Sequence, residues 1–150
     1  MGAGFFMKTS AIGILGRAIL VGLVLLVLFG SAATADDALE GCNGKPYVVK
    51  IHADWCGSCK ALKSVWQRIE TDLGDQAIIV TLDVSDRVAY MESQATAERL
   101  GIGEFFQEYR SRTGTIAILD CKTHEPVVIM SAERDFEKYR EAVARAGSPS

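Results

Sequence analysis

Trp55-Cys56-Gly57-Ser58-Cys59 stands between an apolar run, Val48-Val49-Lys50-Ile51-His52-Ala53, and a long stretch with helical spacing of apolar residues. A CxxC pair that leaves a strand and opens a helix is a redox-active dithiol signal. The first helical turn offers unpaired backbone N–H groups, which stabilise a thiolate. The spacing lets the second cysteine attack a mixed disulfide made by the first. Cys56 is therefore expected to be the more exposed, attacking thiol and Cys59 the resolving one.

Outward from this junction, Val48 to Ala53 has the near-continuous apolar character of a buried central strand. From Cys59 onward, Leu62, Val65, Trp66, Ile69 and Leu73 recur at three- and four-residue spacing, which predicts a helix packed on the sheet with Trp66 in the core. Gly74-Asp75 punctuates, and Ala77 to Val84 reads as a second strand. Strand, helix-length crossover and strand imply a parallel βαβ unit. Residues 87–100 read as a helix with Val88, Met91, Ala95 and Leu100 inward. Glu104 to Arg110 adds a short helix whose Phe105, Phe106 and Tyr109 are read as core cover, with a binding lip beside the dithiol as the alternative. Thr115 to Leu119 and Val127 to Met130 are β-rich runs joined by a loose hairpin link. Glu133 to Ala146 reads as a helix burying Phe136, Tyr139 and Val143, its acidic first turn and late Arg145 suiting helix polarity.

The segment PYVVKIHADWCGSCKALK, residues 46–63, resembles the active-site segment of thioredoxin, and the same order of elements continues through residues 78–143. The resemblance covers most of the chain after residue 44. It implies an α/β, compact thioredoxin-like fold, a mixed four-stranded sheet flanked by helices. It implies thiol–disulfide exchange through Cys56 and Cys59 on client protein thiols or disulfides, with no cofactor and no metal. Gly57 and Ser58 separate the two thiols, Trp55 would shield one side, and Thr115 would present backbone groups to an extended client.

Two positions depart from that pattern. Lys50, six residues before Cys56, stands where thioredoxin has a buried acid that assists deprotonation of the second cysteine. A buried lysine is costly unless a nearby anion offsets it, or unless it snorkels to an edge. His52 shares its strand face by period two and is read as a partly buried polar residue, with proton exchange near neutral pH as the sharper alternative. Gly114, just before Thr115, stands where thioredoxin has a cis-proline. A cis bond without proline costs roughly 2.5–4 kcal/mol, so a trans bond is expected there. Without a side chain, Gly114 is expected to leave room around Cys56 and let a peptide backbone approach.

These departures keep two other readings open. One is a redox-inert interaction module on the same fold. The other is a copper or zinc protein using Cys56, Cys59 and His52 as ligands, although no clear fourth ligand accompanies them. Cys42 and Cys121 are expected to form a structural disulfide. In the implied fold the strand starting near Pro46 runs antiparallel beside Thr115 to Leu119, which brings the start of one near the end of the other.

Residues 1–35 contain no acidic residue. Lys8 and Arg17 precede the uncharged apolar run from Ala18 to Gly30, and the small residues Ala33-Thr34-Ala35 follow. This is the order of a secretory signal. The run is short for a bilayer span of roughly 20 residues, so cleavage is preferred over a retained membrane anchor. Either outcome puts the remaining chain outside the cytoplasm, in the periplasm or secreted, because the positive end stays inside. A recycling partner in that compartment or its membrane is then expected. The expected organisation is a signal peptide or anchor at 1–35, a lead-in at 36–45, a thioredoxin-like domain at 46–146 and a flexible tail at 147–150. The formal net charge of −3, with no basic stripe, argues against nucleic acid as a partner.

Overall fold

The computed structural model describes residues 42–147. The expected signal or anchor, residues 36–41 of the lead-in and the last three residues of the tail lie outside the described residues. Among the described residues no helix is long and apolar enough to cross a membrane.

Four strands, β1 (Tyr47–His52), β2 (Ile78–Asp83), β3 (Thr115–Leu119) and β4 (Pro126–Ser131), form one sheet in the order β2-β1-β3-β4. β1 runs parallel to β2 and antiparallel to β3, and β3 runs antiparallel to β4. The helices are α1 (Gly57–Ala61), α2 (Lys63–Leu73), α3 (Arg87–Arg99), α4 (Gly103–Tyr109) and α5 (Phe136–Ala146). This is the compact α/β thioredoxin fold, with a mixed four-stranded sheet flanked by helices.

The period-two alternation of β1 divides the core into two layers. Tyr47, Val49 and Ile51 face α3 and α4, where they join Phe105, Phe106 and Ile102. Val48 faces α2 and α5, where it joins Trp66, Ile69, Tyr139 and Val143. Phe105, Phe106 and Tyr109 are all buried, as core cover requires and a binding lip does not. The apolar stripe read from Leu62 to Leu73 is buried throughout, but the helix is interrupted at Leu62, between α1 and α2.

Two expectations are corrected. Val88 and Met91 are 66% and 59% exposed, and Ala95 is exposed too. α3 instead buries Ser93 and Ala97. The Ser93 hydroxyl accepts the Asp83 N–H at 2.7 Å and donates to the Asp83 carbonyl at 2.9 Å, so it satisfies the end of β2. That bond, with the small Ala97 side chain, outweighs the apolar period in setting the inward face. The last helix begins at Phe136 rather than Glu133, because Asp135 caps it through the Glu137 N–H. Glu133 stays in the preceding turn, accepting the Arg134 and Asp135 N–H groups at 2.8 and 2.9 Å.

A disulfide joins Cys42 to Cys121, with 6.0 Å between Cα atoms. Both residues are buried at the α3–α4 face of the sheet. The register that pairs Tyr47 with Leu119 carries Cys42, ahead of β1, to the far end of β3. A cross-link closing 79 residues of separation restricts the unfolded chain and contributes about 4 kcal/mol in the chain-entropy account. Replacing both cysteines by alanine is expected to lower stability by about 2–4 kcal/mol in chemical denaturation. A loss under about 0.5 kcal/mol would mean that the unfolded chain already holds these ends together.

Candidate active site

β1 delivers the chain to the site. After His52 the backbone turns at Ala53, whose carbonyl accepts the Cys56 N–H at 3.1 Å. Cys56 is the N-cap of α1, and its Sγ accepts the Cys59 N–H at 3.0 Å. Ser58 Oγ lies 3.1 Å from the same sulfur. Cys56 and Cys59 are bonded to each other, with 5.2 Å between Cα atoms. The expected difference in exposure is absent in this oxidised form, since Cys56 is 5% exposed and Cys59 6%. Their surroundings differ instead. Cys56 Sγ receives hydrogen-bond donors, whereas Cys59 Sγ lies 3.8 Å from the Ile51 carbonyl oxygen. Donors favour a thiolate and a carbonyl oxygen disfavours one, so the chain polarises the pair toward charge on Cys56.

Gly114 closes the site from the β3 side. Its φ of +80° lies in the left-handed region. A Cβ there would overlap Ser58 Oγ, stand 2.9 Å from Ser58 Cβ and reach to 3.6 Å from Cys56 Sγ. The room left by glycine is therefore filled by Ser58 rather than open to a client. The Gly114 N–H donates to Ile51 and its carbonyl accepts from Ala132, so its own backbone groups are also engaged. No peptide bond among the described residues is cis. Thr115 is buried between β1 and β4, paired with Ile51 and Ser131, and presents no free strand edge. The Gly114 N–H and C=O are thus engaged within the protein, and Thr115 lies between two paired strands.

Trp55 is 66% exposed and is held by its Nε1–H, which donates to the Ser85 carbonyl at 3.2 Å. Its ring stands at the surface beside the dithiol rather than sealing it.

Lys50 is half-buried, with Nζ 4.2 Å from the centroid of the Trp66 ring. The ring face gives the ammonium an electrostatic partner, which is the local reason for a lysine in this strand. Burial lowers its pKa from 10.5 to about 8, against the opposing pull of Glu70 and Asp83. Between those values the unfolded chain holds a proton that the folded chain has released. Stability therefore rises as pH climbs from about 8 toward 10. Lys50→Met is expected to raise stability at pH 7 by ~1 kcal/mol, after discounting for partial exposure, and to flatten that rise. Urea unfolding at pH 7 and pH 9 checks it; an undiminished slope in the variant would remove Lys50 as its source.

His52 is half-buried, with Nε2 3.4 Å from Asp54 Oδ1 and with Nδ1 buried and lacking a hydrogen-bond partner. The donors that converge with it, among the described residues, are Asp54 and Asp83 rather than Cys56 and Cys59. Ser58 and Ser85 are the side chains whose roles only the fold reveals. Ser58 gives no sign in sequence beyond its place in the motif. Ser85 gives none, because it acts across a strand-to-strand separation of thirty-one residues, accepting the Asp54 N–H at 2.8 Å.

Residues 31–102 match the family model described as Thioredoxin. The chloroplastic thioredoxin-like protein HCF164 of Arabidopsis thaliana is 38% identical over 65 residues, 43% of this chain and 24% of that protein. The thioredoxin of Mycolicibacterium smegmatis is 38% identical over 42 residues, 28% of this chain and 38% of that protein. The chain thus spans well under two thirds of these relatives' lengths. The crystal structure of Malassezia sympodialis thioredoxin (Mala s 13) aligns with a TM-score of 0.45 and 22% identity, over 70% of this chain and 80% of that one. The matched residues take in β1, the CxxC pair and β2.

Proposed function

We propose that this chain, a thioredoxin-fold protein with a paired CxxC, is an extracytoplasmic thiol–disulfide oxidoreductase that acts on protein disulfides. The observation that carries the reading is the polarised environment of the pair: donors converge on Cys56 Sγ while Cys59 Sγ meets the Ile51 carbonyl. In the reducing direction the Cys56 thiolate attacks one sulfur of a client disulfide. A mixed disulfide forms and the client's second sulfur leaves as a thiolate. Cys59, once deprotonated, attacks Cys56 Sγ, releases the client's first sulfur and regenerates the Cys56–Cys59 disulfide. The oxidising direction is the reverse sequence. Which direction runs in the cell depends on the reduction potential and on a recycling partner in the same compartment.

The extracytoplasmic location rests on the positive end at Lys8 and Arg17 and the apolar run that follows. An oxidising compartment also suits the Cys42–Cys121 disulfide, since such bonds persist outside the cytoplasm.

Insulin reduction with dithiothreitol as electron donor tests the activity. Turnover above the uncatalysed rate supports exchange. A rate equal to the uncatalysed one overturns it and favours the redox-inert module. The same protein's reduction potential then sets the direction: a value near roughly −270 mV marks a reductant and one near roughly −120 mV an oxidant. Mass measurement of protein recovered from intact producing cells tests export; full-length chain confined to the cytosolic fraction would defeat it.

A further inference from the structure

His52, Asp54 and Asp83 each bring one donor atom to a common point, and these atoms lie within 4.8 Å of one another. The three residues come from two adjoining places in the fold. His52 ends β1 and is paired in register with Asp83, which ends β2. Asp54 is in the turn that leads from β1 to Trp55 and Cys56. The carboxyl ends of neighbouring parallel strands are where open α/β sheets gather ligands.

The cluster is supported from outside. Ser85 fixes Asp83 by donating both its N–H and its hydroxyl to Asp83 Oδ1. The same hydroxyl oxygen accepts the Asp54 N–H at 2.8 Å. One serine therefore holds the two aspartate-bearing segments in place, as hydrogen-bonded outer residues hold metal-ligating carboxylates. The histidine is poorly satisfied by protein alone. Its contact with Asp54 is long at 3.4 Å, and Nδ1 is buried with no hydrogen-bond partner. Buried polar nitrogens are rarely left so. Lys50, two residues inward on β1, feels the charge of Asp83 and offsets part of it, while Asp54 carries its charge to the surface.

We propose that His52, Asp54 and Asp83 form a binding site for a divalent first-row transition-metal ion, of which Zn²⁺ is the representative. An imidazole with two carboxylates is a borderline-to-hard donor set that suits such ions. Three protein ligands leave further positions for water, and the exposed Asp54 opens them to solvent. The site contains no sulfur, so it differs in ligands and in place from the Cys56–Cys59 pair. Metal bound there clasps the ends of β1 and β2 and restrains the Asp54-Trp55 turn that precedes Cys56.

The test uses the full chain with both disulfides formed, so that thiolates do not contribute. Equilibrium dialysis against Zn²⁺ is expected to show saturable uptake of one equivalent and a rise in melting temperature with Zn²⁺ concentration. Co²⁺ in its place is expected to give visible d–d absorption without the near-ultraviolet band of a thiolate ligand. His52→Ala and Asp83→Asn are expected to weaken Zn²⁺ uptake at least tenfold, and His124→Ala, in the β3–β4 turn, to leave it unchanged. Circular dichroism checks each variant's fold. Should His52→Ala or Asp83→Asn fail to fold, Asp54→Asn, at the exposed turn, carries the same expectation. Absence of saturable uptake, uptake undiminished in the folded variants, or a thiolate band with Co²⁺ would each overturn the proposal. None of these readouts depends on oxidoreductase activity.

Discussion

Cys56→Ser is expected to abolish insulin reduction, by at least ~10³-fold, while Cys59→Ser stops the cycle one step later. Serine at 56 keeps the shape of the N-cap and its contact with the Cys59 N–H, but a hydroxyl is not ionised near neutral pH and cannot take the place of the thiolate. Serine at 59 leaves the Cys56 thiolate among its donors, the Cys59 N–H and the Ser58 hydroxyl. That variant is therefore expected to attack a client disulfide once and retain it as a mixed disulfide, visible by mass under non-reducing conditions. Cys56→Ser should retain none. The opposite pattern, with adducts accumulating on Cys59, would mean that the donors around Cys56 do not decide which sulfur attacks.

Gly114→Pro is expected to destabilise the fold by at least about 3 kcal/mol, even though proline stands at this position in thioredoxin itself. Three features of this chain oppose it. The backbone φ is +80°, and a proline ring fixes φ near −65°. The Gly114 N–H donates to the Ile51 carbonyl at 2.9 Å, a bond that proline cannot make. Any side chain at 114 also enters the space of Ser58. Gly114→Ala retains the N–H and isolates the other terms, about 1–2 kcal/mol for the left-handed conformation plus the overlap with Ser58. Adding Ser58→Gly to Gly114→Ala should recover the overlap term and leave the conformational one. Urea denaturation of Gly114→Pro, and of Gly114→Ala, Ser58→Gly and their double variant as a closed cycle, measures these terms. A proline variant as stable as its parent would mean that the 112–115 segment changes conformation at little cost.

This swap between Ser58 and a side chain at 114 explains much of what the sequence misjudged at the site. Gly114 reads in sequence as empty space beside Cys56, yet in the fold that space belongs to a residue of the motif itself. Thr115 reads as a place for a client backbone, yet β4 returns to pair with it through Ser131. A motif states which groups are present; it does not state which neighbours have already used them.

Local order was legible because it is written locally. The near-continuous apolar run before Cys56 marks a strand covered on both faces, and the three- and four-residue spacing of Leu62, Val65, Trp66, Ile69 and Leu73 marks a helix with one buried side. The strand–CxxC–helix junction likewise announces disulfide chemistry, since the two sulfurs and the amide that serves Cys56 lie within four consecutive residues. The tertiary structure decided every matter that depends on residues far apart in the chain. It put Trp66 beneath the Lys50 ammonium, turned α3 so that Ser93 rather than Met91 faces β2, and set Asp83 beside His52. Side-chain period constrains burial and covalent spacing constrains reach. The partner of a buried charge or an unpaired hydrogen-bonding group is fixed only when distant strands take their register.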